Sequence, residues 1–224
     1  MSKENKTALA NVPKYHKIQT LYKRGDDGQL LEGEWSRPYL EYLQNNEWVF
    51  TEKVDGTNIR VHWDQKDQKV SFGGRTDRAQ IYAPLVQKLI EMFPAKNLQE
   101  AFPLGEDIIT LFGEGYGSRI QAGGGNYRSD VSFVLFDILI GHWWLRRPDV
   151  EAIAEKLGLD VVPIIGHGTL HQAVETVRNG LTSTWGEFRA EGLVARPAVE
   201  LKARSGERVI CKIKHRDFRH GNES

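Results

Sequence analysis

The chain has 224 residues, 40% of them hydrophobic and 27% charged, which is the make-up of an ordinary globular protein with room for one sizeable domain or at most two small ones. Its 30 basic and 30 acidic residues balance, so no overall field draws it to nucleic acid or to an anionic membrane. Cys211 is the one cysteine, which excludes an intramolecular disulfide and a cysteine-based zinc site. The N-terminus is polar, and the longest apolar run, 131–140, is too short to span a bilayer; a reducing, cytoplasmic setting without membrane contact is expected.

Residues 1–12 read as a flexible N-terminal arm, with one domain expected over 13–224. Glu47–Glu52 reads as a strand. A turn over Lys53–Thr57, holding Asp55-Gly56, leads to a second strand over Asn58–Asp64, where Ile59, Val61 and Trp63 alternate. Lys69–Phe72 is a third strand, ending at Gly73-Gly74. Pro84–Phe93 has apolar residues at helical spacing. Asp107–Gly113 and Ser132–Ile140 read as buried strands, and Trp143-Trp144 as core, with an exposed docking patch as the alternative. Pro148–Leu157 is a helix with proline at its start and Gly158 after its end, and His171–Asn179 is another, stopped at Gly180. Glu191–Ala195 and Arg208–Lys214 are closing strands. The pattern predicts an α+β fold of largely antiparallel sheets flanked by helices. No GxxxxGK(S/T) is present, so a P-loop is excluded, and Gly123–Gly125 reads as a flexible loop.

Several residue types in this pattern carry chemistry. Lys53 lies between an apolar strand and a glycine-containing turn; lysine becomes a nucleophile where desolvation or neighbouring cations free its amine. Lys212 and Lys214 alternate on a late strand, so they share a face and could hold phosphate oxygens beside it. Glu114 and Glu191 each adjoin glycines, which let a ligand approach the backbone. A carboxylate there can bind a ribose hydroxyl or order the waters of a magnesium ion. Phe136 could stack on a purine, and Asp137, inside an apolar run, needs a partner or a polar site. Arg75, after two glycines, suits phosphate or sugar oxygens. Each has a plainer reading: a turn lysine, surface carboxylates, a core phenylalanine. The basic segment 202–220 is open to both readings, a local phosphate-binding surface or a solvated face.

The order of these stretches is more specific than any one of them. EKVDGTN, GGRT, LFGEG, FVLFDI, EGLVARP and VICKIKHRDF, running from Lys53 to Phe218, resemble the ordered motifs of the covalent nucleotidyltransferase superfamily of RNA ligases, DNA ligases and mRNA capping enzymes. The opening KYHKI and the details of the later motifs resemble the bacteriophage-type ATP-dependent RNA ligases that seal nicks. The resemblance implies a nucleotidyltransferase (ATP-grasp-like) domain that uses ATP and Mg2+, with Mn2+ as an alternative. It also implies residue roles. Lys53 takes AMP. Glu52 contacts the adenine. Asn58 contacts the phosphate region of the adenylate and the nick. Arg75 holds the ribose and the 5′-phosphate end. Glu114 binds the ribose hydroxyl, and Phe136 stacks on adenine with Asp137 beside it. Glu191 organises the metal, and Lys212 and Lys214 hold the α-phosphate.

The sequence stops at Ser224, soon after the last motif, so no C-terminal OB-fold is expected, and a partner protein replacing such a domain is one expectation. The substrate expected is RNA, with DNA or hybrid ends as alternatives. A minimal DNA ligase shares the chemistry; a GTP-using capping guanylyltransferase and a non-catalytic nucleic-acid-binding remnant are the further alternatives.

Overall fold

The computed structural model describes residues 13–103, 105 and 107–218; the arm expected over 1–12 lies outside these, as do Arg219 and His220 of the basic segment. In chain order the elements begin with β1 (Gln19–Thr20), β2 (Tyr22–Arg24), β3 (Leu30–Trp35), α1 (Pro38–Tyr42) and β4 (Trp48–Glu52). There follow β5 (Thr57–Asp64), β6 (Lys69–Gly74), α2 (Ala83–Met92), α3 (Ala95–Ala101), β7 (Ile108–Gly117), β8 (Val131–Ile140), β9 (Trp143–Trp144) and α4 (Arg147–Leu157). The chain closes with β10 (Ile164–Gly168), α5 (Leu170–Arg178), β11 (Gly192–Pro197) and β12 (Cys211–Lys214). These fall into two compact units, 13–15 with Asp55–Val161, and His16–Val54 with 162–218.

In the unit containing Asp55–Val161, five strands form a sheet in the order β6-β5-β7-β8-β9, every pair antiparallel. One face is apolar because alternation puts Ile59, Val61 and Trp63 of β5 and Ile109 and Leu111 of β7 on the same side. Against it pack Leu85 and Leu89 of α2, Leu98 of α3, and Val150, Ala154 and Leu157 of α4. Helix α4 has proline in its first turn and stops at Gly158, which adopts the left-handed conformation (φ 65°), as the sequence predicts. Truncating the fully buried Leu89 to alanine costs about 2–5 kcal/mol. The opposite face of the sheet is polar: Asn58, Arg60 and His62 on β5, and Thr110 and Glu114 on β7.

In the other unit a sheet runs β1-β12-β11-β4-β10, antiparallel except for the parallel pair β1–β12. Helix α5 starts at a capping box, Thr169 with Gln172, and buries Leu170, Ala173, Val174 and Val177, one face of a helix, against Leu193, Cys211 and Ile213. A hairpin of β2 and β3 and the short helix α1 complete this unit. Among the described residues no helix is long and apolar enough to cross a membrane.

The structure departs from the sequence reading in specific places. Strands β4 and β5 do not pair across the Asp55-Gly56 turn; they belong to different sheets, because β4 pairs with the distant β10 and β11 while β5 pairs with β6 and β7. Strand β7 continues to Gly117, since β8 pairs with it as far as Val131. The last strand begins at Cys211 rather than Arg208, whose guanidinium is buried and paired with Glu200 at 2.5 and 3.0 Å. The basic segment is therefore not a single exposed surface. The loop read over Gly123–Gly125 holds a turn of 3-10 helix at Gly124–Asn126. Trp143 is 78% exposed, not core, while Trp144 packs on Tyr15 and Phe112.

Candidate active site

Three neighbouring strand ends assemble the first group. The sheet order puts the start of β11 between the end of β4 and the end of β12: Leu193 pairs with Glu52, and Gly192 with Lys214. The backbone N–H of Lys53 donates to the Gly192 carbonyl at 3.0 Å, and that of His215 to the Glu191 carbonyl at 2.9 Å. Lys53, Glu191 and Lys214 thereby stand in a row. Gly192 is required there: it has φ +154°, and a Cβ would lie 2.0 Å from the Ile213 carbonyl oxygen.

The Glu191 carboxylate spans the row. Its Oε2 accepts from Lys53 Nζ at 2.6 Å and its Oε1 from Lys214 Nζ at 2.5 Å. The three side chains are 14% to 21% exposed, so solvent screens these pairs far less than a surface ion pair. Burial pushes the Glu191 carboxyl up, but the Lys53 charge and the hydrogen bonds from Lys214 and Lys53 outweigh it and hold the group below the usual carboxylate range. Lys212 and Lys214 share a face of β12, as their spacing predicts, opposite the buried Cys211 and Ile213.

Glu52 does not join this row. It alternates with Trp48 and Phe50 onto the core face of β4 and is 1% exposed. Its carboxylate accepts from Ser183 Oγ at 2.6 Å and from the Thr184 N–H and hydroxyl, both at 2.8 Å. The adenine contact expected of Glu52 meets a carboxylate already held by three donors. Nothing in the Ser183-Thr184 stretch of sequence signals that pairing.

The second group lies in the other unit, on the polar face of its sheet. Asn58 and Glu114 are direct cross-strand partners on β5 and β7 and so share that face. Asn58 Oδ1 is buried with no hydrogen-bond partner, a position that awaits a donor. Phe136 sits in a β-bulge: Phe112 pairs with Asp137 and Gly113 with Leu135, which leaves Phe136 as the extra, half-buried residue. Asp137 is buried and accepts from the Tyr15 hydroxyl at 2.5 Å, the partner its setting required.

Arg75 follows β6 and is exposed. The residues around it are tied down by Arg60, fully buried on β5, which donates from Nε to the Gly74 carbonyl at 2.8 Å and from a terminal nitrogen to Asp77 at 2.8 Å. Sequence reasoning missed Arg60, although a cation between Ile59 and Val61 in a strand buried on both faces is a signal. The Asp55-Gly56 turn is braced by the Asp55 N–H donating to the Tyr127 hydroxyl at 3.1 Å and by Gln121 Nε2 donating to the Gly56 carbonyl at 3.1 Å. Gly56 is needed for close approach, since a Cβ would lie 2.3 Å from the Gly115 carbonyl oxygen.

Among the described residues no group of three or more His, Cys, Asp or Glu side chains could hold a metal ion. A dedicated all-protein cage is thus not built among them. A magnesium ion that keeps most of its waters needs only one or two protein carboxylates, and Glu191 is the carboxylate of this row, its two oxygens accepting from Lys53 and Lys214.

The RNA ligase family model matches residues 46–214. Solved structures of Naegleria gruberi RNA ligase share the fold. A variant with ATP and Mn is 18% identical over 91% of this chain and 58% of that one, with a TM-score of 0.62. An apo variant is 19% identical over 91% and 60%, with a TM-score of 0.64. The form with PPi is 20% identical over 92% and 60%, with a TM-score of 0.62. The chain spans about three-fifths of the length of these proteins. No curated protein sequence matches it.

Proposed function

The chain belongs to the RNA ligase family, and from that premise we propose that it is an ATP-dependent RNA ligase joining 3′-hydroxyl and 5′-phosphate ends through a lysyl-AMP on Lys53. The observation that carries this reading is the half-buried row of Lys53, Glu191 and Lys214, in which the expected nucleophile and an expected phosphate ligand are bound to one carboxylate.

Glu191 Oε2, 2.6 Å from Lys53 Nζ, holds the ammonium in the resting protein. When that contact gives way and the amine has lost its proton, Nζ attacks the α-phosphorus of ATP, a P–N bond forms, and the bond to the pyrophosphate oxygen breaks. Lys212 and Lys214 hold the α-phosphate oxygens as charge spreads over them. Asn58 serves the phosphate region by donating from its side-chain Nδ2, since phosphate oxygens only accept. Glu114 binds the ribose hydroxyl and Phe136 stacks on the adenine, with Asp137 supporting that ring. AMP passes to a 5′-phosphate held by Arg75, and attack by the 3′-hydroxyl seals the strand and releases AMP. Glu191 would hold a magnesium ion, which supplies further neutralisation of phosphate charge when bound.

Glu52 enters in a changed role. Its three donors tie the strand end that carries Lys53 to the 183–184 segment, so it positions the nucleophile.

The test is incubation with ATP labelled at the α-phosphate and magnesium, followed by denaturing electrophoresis, beside Lys53→Ala. A covalent label on the unsubstituted chain that is lost in the variant is expected, together with sealing of nicked RNA in preference to nicked DNA, since the 2′-hydroxyl separates the two substrates. A folded chain that takes no label from ATP sinks the reading, and a label from GTP alone redirects it to a capping-type transferase.

A further inference from the structure

Tyr15 lies in the opening KYHKI stretch, for which the resemblance assigns no residue role, yet it touches two residues assigned to the nucleotide. Its hydroxyl donates to the buried Asp137 carboxylate at 2.5 Å. Its ring lies edge-on to Phe136, with centroids 5.0 Å apart and planes at 69°, and meets Phe112 at 5.1 Å and Trp144 at 5.8 Å. Phe136 is the unpaired residue of a bulge, so the β-ladder does not fix it as it fixes its neighbours.

Tyr15 is 7% exposed, and the segment bearing it is tied a second time, by Lys14 to Asp77 at 2.8 Å. The lysine is 56% exposed in that pair, so it holds the segment weakly, and the buried aromatic and its hydroxyl are the anchor. A tyrosine suits the place on both counts: the ring offers a face or edge to Phe136, and the hydroxyl meets a carboxylate that burial would otherwise leave short of that donor.

We infer that Tyr15 is a positioning residue for nucleotide recognition: it sets the Phe136 ring at the bulge so that the ring can stack on the base of ATP. The inference rests on the nucleotide reading above. It predicts a loss specific to the base, because Tyr15 acts through Phe136 and not through the phosphate ligands.

The test uses equilibrium binding in the Lys53→Ala chain, where ATP binds without reacting. The probes are ATP with magnesium and inorganic tripolyphosphate, which has no base. Adding Tyr15→Ala should weaken ATP about three- to tenfold, the range carried by an aromatic pair, and leave tripolyphosphate within about twofold. Tyr15→Phe keeps the ring and drops the donor, and should fall between the two. Unchanged ATP affinity, or ATP and tripolyphosphate weakened in parallel, overturns the inference and makes Tyr15 part of the general packing. Covalent labelling of the unsubstituted chain reports separately on the ligase reading, so the two can fail independently.

Discussion

Glu191 places a carboxylate oxygen 2.6 Å from the Nζ of Lys53, and the two residues are 138 positions apart in the chain. The contact exists because β11 begins beside the end of β4, and it makes the carboxylate part of the setting of Lys53. Glu191→Gln keeps the shape and removes the charge, leaving two lysines around a neutral amide. Lysyl-AMP formation in a single turnover should fall by about 10²–10³, as when one preorganised electrostatic group is lost. A rate within about threefold of the unsubstituted chain would remove Glu191 from the mechanism.

How much of this was legible beforehand depends on the range of the interaction. Lys212 and Lys214 were readable as one face because strand alternation is local, and β12 shows them opposite the buried Cys211 and Ile213. Helix α4 was readable from Pro148 and Gly158 for the same reason. The Asp55-Gly56 turn misled, since the dipeptide signals a local turn and says nothing about which sheet each flanking strand joins. The hairpin of β2 and β3 was missed because β3 is largely exposed along its length, with no buried alternation to read. The holders of Glu52, Ser183 and Thr184, lie more than 130 residues away in a segment without periodicity.

Arg60 and Arg75 should separate cleanly in experiment. Arg60 is fully buried and holds Gly74 and Asp77, so Arg60→Ala should destabilise the protein by about 2–3 kcal/mol in urea denaturation; the cost stays at the lower end because Asp77 is 36% exposed and turns to water. Arg75 is exposed, so Arg75→Ala should change stability by no more than about 0.5 kcal/mol. Its loss should appear in transfer of AMP to the 5′-phosphate end while lysyl-AMP still forms. Equal losses in stability for the two variants would refute the division of roles.

His62 gives the protein a stability that depends on pH. Burial, the largest influence, and the Arg60 charge lower its pKa below the ordinary 6.5 against the opposing pull of Asp64. The folded state thus binds its proton less readily than the unfolded state. The stabilisation is fully present above pH 6.5 and is lost as pH falls below that value toward the folded pKa. Urea midpoints measured between pH 7.5 and 5 should decline less steeply for His62→Leu than for the unsubstituted chain. Parallel declines would mean that other groups carry the pH dependence.

Glu52 is the candidate residue whose carboxylate is already met by three donors. If its carboxylate served chiefly as a base contact, Glu52→Gln would weaken ATP binding and leave folding untouched. The observed donors, Ser183 Oγ, the Thr184 N–H and the Thr184 hydroxyl, make a different forecast. Glutamine keeps one acceptor oxygen, which can accept from Thr184, and turns its amide donors toward a serine oxygen that can accept. Stability should therefore drop by only about 0.5–1.5 kcal/mol. Glu52→Ala strands buried donors and should cost about 1–3 kcal/mol more than the glutamine variant. ATP affinity in the glutamine variant, made in the Lys53→Ala chain, should remain within about threefold of its parent. A tenfold or larger loss of ATP affinity at unchanged stability would instead return Glu52 to the base.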